Sequence, residues 1–355
     1  MSYAPAYCRT GMAFLAATIV PLASVAQSAL ATVAVGTTPI AVAANPVTHK
    51  VYVVNHGSNS VAIIDGTTRA TSTVNVEDRP EAVAINPKTN KVYISNAGAD
   101  SVSVIDGRTD KISATVHVGS YPQALAVDTA RNKIYVANNF GHSVTVIDGA
   151  TNKTTTIQVG HGPRGIALNA VTNKIYTVNY GSENVTVIDG ATGFTASVAT
   201  GKHAWAIAVD SNTDKIYAVN EDSASVTIIK GVTNAATTVG VGAIPFAVEV
   251  NPLTQKAYVL SYGDDTMAVI DGTSDVVTET IHLGTHPQAI AVDEQSDRIY
   301  VASQRTASVT VIDGVTNLPV TKVDVGMIPY AIGIDAQAHV LYVANFSSNN
   351  VTVIQ

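Results

Sequence analysis

One carboxylate occupies a position where the rest of the chain repeats small residues. Glu249 lies in the segment Phe246-Ala-Val-Glu-Val250. The equivalent positions of the other copies of this segment hold Ala43, Ala84, Ala126, Ala167, Ala208, Ala291 and Gly333. A carboxylate among small apolar neighbours can bind a cation or transfer a proton, or it can be an idle group that faces water. Both interpretations of Glu249 stay open at this point.

Variable side chains on both sides of a repeated proline position form a second group of candidates. Trp205 and Phe246 could stack against a planar or sugar-like group, and polar neighbours could fix its orientation. The alternative is that these residues only form a rim, since loops vary in any repeat protein. The candidate binding residues are Tyr121, Gln123, Arg164, His203, Trp205, Phe246, Glu249, His286, Gln288 and Tyr330.

Known catalytic, metal-binding and cofactor motifs do not occur in the sequence. The only cysteine is Cys8, which excludes Cys-x-x-Cys-His haem attachment and Fe–S ligation. The nine histidines form no His-x-His or His-Glu-x-x-His pattern. Acidic pairs at 221–222 and 264–265 lack the oxygen-ligand spacing of a calcium loop. We therefore expect no cofactor, no metal ion and no assigned catalytic residue.

The elements that must position these residues belong to a repeat. A Tyr-centred segment recurs every 41 or 42 residues, followed by Val-x-Val-Ile-Asp-Gly or a close variant. The marking tyrosines are Tyr52, Tyr93, Tyr135, Tyr176, Tyr217, Tyr258, Tyr300 and Tyr342. Each copy contains four short runs rich in Val, Ile, Thr and Tyr, bounded by turn residues. This period with four strands per copy predicts an all-β, eight-bladed β-propeller of antiparallel blades.

Strand positions follow from the third copy, which predicts strands at 123–128, 133–138, 143–148 and 154–159. Asp-Gly is predicted to form the hairpin between the third and fourth strands. The repeated tyrosine is predicted to pack between blades with its hydroxyl hydrogen-bonded. The last copy ends after its third strand, and residues 29–36 resemble a fourth strand. The N-terminal strand is therefore expected to complete the last blade and close the ring.

The N-terminus predicts export. Arg9, an apolar stretch from Met12 to Val25 and a small-residue cleavage pattern before Gln27 are typical of a secretory signal peptide at 1–26. Pro21 interrupts the stretch, so we expect no transmembrane anchor. Residues 27–355 then form one propeller domain in the periplasm, outside the cell or at its surface.

Charge and composition narrow the partners of this domain. Without residues 1–26 the chain has 19 basic and 27 acidic residues, a net charge of −8. No basic run occurs, which argues against nucleic acid as a partner. We expect a monomer that binds a protein or a carbohydrate on the face with the variable loops.

The repeated sequence segments resemble those of the YVTN family of β-propeller repeats. They include Tyr52-Val-Val-Asn55, Tyr135-Val-Ala-Asn138 and Tyr342-Val-Ala-Asn345. The pattern departs at Tyr93-Ile-Ser-Asn96 and where serine replaces asparagine, at Ser261 and Ser303. The resemblance covers residues 27–355 and implies a propeller, with exported or surface-layer relatives and no defined activity.

Two functions remain open from the sequence. The first is an exported, non-catalytic binding or surface scaffold protein with a site at the channel mouth. The second is a hydrolase- or lyase-like enzyme that uses Glu249 with Arg164, His203 or His286. The absence of a catalytic motif favours the first.

Overall fold

Four-stranded antiparallel sheets repeat eight times around a ring. The computed structural model describes residues 27–355, so the predicted signal peptide lies outside the described residues. Each sheet is one blade. The innermost strand of every blade contacts the innermost strands of both neighbouring blades, all the way around the ring. The predicted eight-bladed propeller is confirmed.

The strands of each blade are named A to D from the central channel outwards. The A strands are β2 (Pro39–Ala44), β6 (Pro80–Asn86), β10 (Pro122–Asp128), β14 (Pro163–Asn169), β18 (Ala204–Asp210), β22 (Pro245–Asn251), β26 (Pro287–Asp293) and β30 (Pro329–Asp335). The B strands are β3 (Lys50–Asn55), β7 (Lys91–Asn96), β11 (Lys133–Asn138), β15 (Lys174–Asn179), β19 (Lys215–Asn220), β23 (Lys256–Ser261), β27 (Arg298–Ser303) and β31 (Val340–Asn345).

The outer half of each blade is built from the other two strands. The C strands are β4 (Ser60–Asp65), β8 (Ser101–Asp106), β12 (Ser143–Asp148), β16 (Asn184–Asp189), β20 (Ser225–Lys230), β24 (Thr266–Asp271), β28 (Ser308–Asp313) and β32 (Asn350–Ile354). The D strands are β5 (Thr71–Asn75), β9 (Lys111–His117), β13 (Thr154–Gln158), β17 (Thr195–Ala199), β21 (Ala236–Gly240), β25 (Val276–His282), β29 (Leu318–Asp324) and β1 (Ala29–Ala34). Two short 3₁₀ turns are His56–Ser58 and Glu221–Ser223.

The hydrophobic core lies between successive blades. In one cluster, Tyr93 and Val104 of the second blade pack with Ile134 and Ile147 of the third. Equivalent clusters recur around the ring. Neighbouring blades cover the B and C strands on both sides, and these strands are therefore rich in Val, Ile and Ala. The D strands are largely exposed.

The N-terminal strand lies in the last blade. Strand β1 pairs antiparallel with β32, with Val33 opposite Val351 and Ala29 opposite Ile354. The backbone continues this pairing, since the amide of Ser28 donates to the carbonyl of Gln355 at 3.0 Å. The eighth sheet thus combines strands from both ends of the described chain.

The Asp-Gly connections between the C and D strands are turns of four or five residues, and in the third copy the turn spans residues 149–153, as the predicted strand bounds require. In the first blade the connection spans residues 66–70, and Asp65 accepts hydrogen bonds from the backbone amides of Thr67 and Thr68 at 3.0 and 2.7 Å. The glycine also provides space. A Cβ atom on Gly272 would lie 2.5 Å from the carbonyl oxygen of Gln255 and 2.6 Å from the hydroxyl oxygen of Tyr217 in the preceding blade.

The prediction that every repeated tyrosine has a partnered hydroxyl is wrong. The hydroxyls of Tyr52, Tyr93 and Tyr217 are buried and have no hydrogen-bond partner among residues 27–355. Tyr300 does have one, because the side-chain amide of Gln27 donates to it at 2.7 Å.

The lysines that begin B strands bond to the C–D turn of the next blade, except Lys133. Lys50 of the first blade donates to Asp110 in the C–D turn of the second at 2.8 Å. The fourth blade has Gly193 at the position of Asp110, and Lys133 of the third blade instead pairs with Asp148 of its own blade at 2.7 Å. A cavity of about 720 Å³ lies at this seam. We call it the side cavity.

Candidate functional site

A β-bulge opens strand A in every blade. In the third blade, Pro122 pairs with Asn138 and Ala124 with Ala137, so Gln123 has no residue opposite it. A bulge re-aims the side chain of its extra residue. The bulged residues are Ile40, Glu81, Gln123, Arg164, Trp205, Phe246, Gln288 and Tyr330. These are the variable positions that follow the repeated proline position.

The bulged residues of the third to eighth blades share one cavity. This cavity, of about 480 Å³, opens at the end of the channel that carries the D–A and B–C loops. We call it the mouth cavity and that side of the ring the upper face. Its lining includes the predicted site residues Gln123, Arg164, Trp205, Phe246, Glu249, Gln288 and Tyr330.

Stacked side chains hold Trp205 at the mouth. The guanidinium carbon of Arg164 lies 3.3 Å from the centre of the Trp205 ring. Tyr180 meets the indole edge-on at 5.9 Å and stacks on His203 at 4.2 Å, with only 7° between the ring planes. His203 in turn places Nδ1 2.6 Å from a carboxylate oxygen of Asp222. This series fixes the planes of Trp205 and Arg164 before any ligand arrives.

Polar groups of the mouth cavity lack partners within the described chain. Arg131 and Arg298 donate to aspartates at 2.9 Å. Arg164 has no such acceptor among residues 27–355, and burial lowers the pKa of its guanidinium from the ordinary value. Gln288 is 9% exposed, and its amide likewise makes no hydrogen bond to residues 27–355. Because both side chains line the cavity and neither is engaged by residues 27–355, these donors are available to a ligand.

Glu249 lies deeper in the channel. It lines the mouth cavity and also a second cavity of about 290 Å³, which extends to Pro252 and Glu294. The surface that Glu249 exposes faces the channel, so water reaches the carboxylate while protein surrounds it. Burial raises the pKa of Glu249 to about 7, and the negative charge of Glu294 adds to this effect.

The other three predicted site residues do not line the mouth cavity. Tyr121, His203 and His286 occupy the D–A loop position that has a left-handed backbone, with φ of 55° or 56°. The carbonyl of this residue accepts a hydrogen bond from the first B–C loop residue of the same blade, for example from Glu221 to His203 at 3.1 Å. Their rings stack on other aromatic side chains at the upper face.

The upper face collects nearly all the aromatic side chains outside the repeated tyrosines. Phe194, in a C–D turn, is the one exception within residues 27–355. The sequence analysis missed Tyr180 and Tyr262, which stack on His203 and His286. A signal existed, because each follows the last residue of a B strand, where most blades have a different residue. The upper-face set is Tyr121, Phe140, Tyr180, Trp205, Phe246, Tyr262, Tyr330 and Phe346.

The described part of the chain contains neither a group of candidate metal ligands nor a candidate membrane-spanning helix. Between residues 27 and 355, no three His, Cys, Asp or Glu side chains are grouped so that they could hold a metal ion. Over the same range, no helix has the length and apolar character needed to cross a membrane.

Comparison with known proteins supports the architecture. A hydrazine synthase chain from Kuenenia stuttgartiensis is similar over 89% of this chain and 95% of its own, with 19% identity and a TM-score of 0.63. A streptogramin B lyase is similar over 78% of this chain and 93% of its own, with 13% identity and a TM-score of 0.64. At these identities the likeness shows the fold alone. No protein-family model matches the chain, and no curated protein matches it.

Proposed function

We propose that this chain is an exported, non-catalytic binding or surface scaffold propeller of the YVTN type, and that it holds a carbohydrate in the mouth cavity. One observation carries the proposal. Amide and guanidinium groups without protein partners converge, on β-bulges, with Trp205 and Phe246 in one cavity. Aromatic faces cover the apolar side of a sugar, and amide groups bond to its hydroxyls. The signal-peptide pattern that the sequence predicts at 1–26 supports export.

The size of the cavity supports a sugar over a protein surface. About 480 Å³ lies within the usual range for a small-molecule site. A stable protein interface buries roughly 800 Å² on each partner and usually needs a broad patch. A protein partner would therefore have to insert a single chain segment into the mouth, which is the alternative occupant that the experiment below includes.

The enzyme hypothesis has weaker support. Its favourable observation is the pKa of Glu249 at about 7, which suits a general acid or base near neutral pH. The hypothesis also needs a second acid–base group beside the substrate. Of the partners named for Glu249, Arg164 lines the mouth cavity, but an arginine does not release its proton near neutral pH. His203 and His286 do not line this cavity, and their rings stack on Tyr180 and Tyr262. Binding without turnover therefore fits the arrangement better.

A glycan array followed by calorimetry tests the proposed function. Trp205→Ala, Phe246→Ala and Gln288→Ala should each weaken binding of the glycan that is found by ~1 kcal/mol or more. Ile40→Ala is the matched control, because Ile40 is also a bulged residue but does not line the mouth cavity. Binding that all three variants leave unchanged would place the ligand elsewhere, and capture of peptides but no glycans would identify a protein partner.

A further inference from the structure

The guanidinium of Arg164 is a cation without a counter-ion. It is half-buried, and the indole of Trp205 covers one of its faces at 3.3 Å. This contact is with the guanidinium carbon and the centre of the indole, so the indole itself accepts no N–H···O hydrogen bond from Arg164. Tyr180 lies farther off, at 5.8 Å from the guanidinium carbon. A planar cation held in this way presents a fixed fork of donors, which matches an oxyanion such as a carboxylate.

The nearest acidic side chains do not occupy this fork. Glu81 and Glu221 act on Arg164 through space, but neither forms an ion pair with it. The carboxylate of Glu81 lies 3.6 Å from Nδ1 of His56, and Glu81 is not a lining residue of the mouth cavity. No group of residues 27–355, including the Glu249 carboxylate that lines the same cavity, accepts a hydrogen bond from the guanidinium of Arg164.

Other donors converge on the same space as Arg164. Gln288 is 9% exposed and its side-chain amide has no protein partner. Gln123 and the hydroxyl of Tyr330 line the same cavity. Gln288 and Arg164 line one cavity without a hydrogen-bond partner among residues 27–355, so both present donors to an acceptor group that enters it.

We infer that the saccharide of the mouth cavity is acidic, and that Arg164 and Gln288 receive its anionic group while Trp205 and Phe246 cover the sugar ring. This inference rests on the proposed function and adds the charge of the ligand to it. The shared chemistry is an oxyanion on a sugar, which is either a carboxylate, as in a uronic acid, or a sulfate ester.

Trp205 provides a direct readout, because it is the only tryptophan of the chain. Its emission is followed while D-glucuronic acid, the neutral isostere D-glucuronamide, glucose 6-sulfate and sodium acetate are each added at constant ionic strength. We expect saturable changes with glucuronic acid or glucose 6-sulfate, and binding ~10-fold weaker or more with glucuronamide, since a charge-assisted hydrogen bond is lost. Whichever of the two acidic sugars binds more tightly identifies the anionic group.

Variants separate this inference from the proposed function. Arg164→Met should reduce the affinity for the acidic sugar ~10-fold or more, and Arg305→Met, an exposed arginine of the upper face, should leave it unchanged. The inference would be overturned if glucuronamide and glucuronic acid bound equally well and Arg164→Met left both affinities unchanged. The proposed function would still hold if Phe246→Ala abolished this binding. Acetate that binds as tightly as glucuronic acid would also overturn it, since the sugar would then contribute nothing. No response to any sugar would count against both.

Discussion

Replacing Glu249 should stabilise the protein at neutral and alkaline pH. The folded state raises the pKa of this carboxyl from 4.5 to about 7, mainly through burial. The folded protein therefore holds the proton more tightly than the unfolded chain does. The free energy of unfolding must then fall as the pH rises from about 4.5 through about 7, and the loss is complete above that window.

The size of the effect follows from the same pKa values. A tenfold change in acidity corresponds to ~1.4 kcal/mol, so the full difference would be ~3 kcal/mol. Channel water reaches the carboxylate and screens it, so we expect only ~1 kcal/mol. Glu249→Gln removes the charge at nearly constant shape. Glu249→Ala installs the residue that most other blades carry at this position.

Urea unfolding at about pH 4 and about pH 8 checks this reasoning. Both variants should match the parent at the lower pH and exceed its free energy of unfolding at the higher pH. Glu183→Gln, which alters an exposed turn carboxylate, is the control and should behave as the parent at both. Parallel melts with a chelator test the competing role. If a chelator destabilises the parent protein but not the Glu249 variants, the carboxylate is not idle and the result indicates a bound cation.

Two further predictions concern the blades. A chain that starts at residue 36 lacks β1 and should aggregate or lose its cooperative melt, because the edge of β32 is left unpaired. Light scattering measures the aggregation and calorimetry measures the melt. Adding a peptide of residues 27–35 should restore the cooperative melt. A truncated chain that stays monomeric with an unchanged melt would contradict the expected role of β1. Gly193→Asp should raise the free energy of unfolding by ~0.5 kcal/mol, since Lys133 gains a partner across the seam. The gain should vanish in a Lys133→Met background, and a gain that persists there would have another cause.

The repeat in the sequence was sufficient to predict the ring, because each copy carries its own strand and turn signals. The positions of the B and C strands in the third copy were predicted to the residue. The candidate site was predicted only in part. Aligning the copies identified the variable residue after the proline position, but nothing in the residue types revealed that a bulge turns this residue toward the channel.

Contacts between blades were the least predictable. The pairing of His203 with Asp222 and its stacking on Tyr180 join the fourth and fifth blades, and each residue alone is an ordinary loop residue. The surroundings of Gly272 are a second example. A glycine after aspartate correctly indicates the C–D turn, but it does not reveal that the hydroxyl of Tyr217 from the preceding blade also lies close to this glycine.

The pairing of β1 with β32 also constrains the order in which the chain can fold. The inner three strands of any blade can assemble from neighbouring residues as soon as these have been synthesised. The partner of Ala29 is Ile354, however, so β1 must wait until nearly the whole chain exists. Bringing such distant segments together is slow compared with local hairpin formation. The last blade should therefore form in a separate late phase of refolding, and a circular permutant that joins β32 to β1 directly should lack that phase.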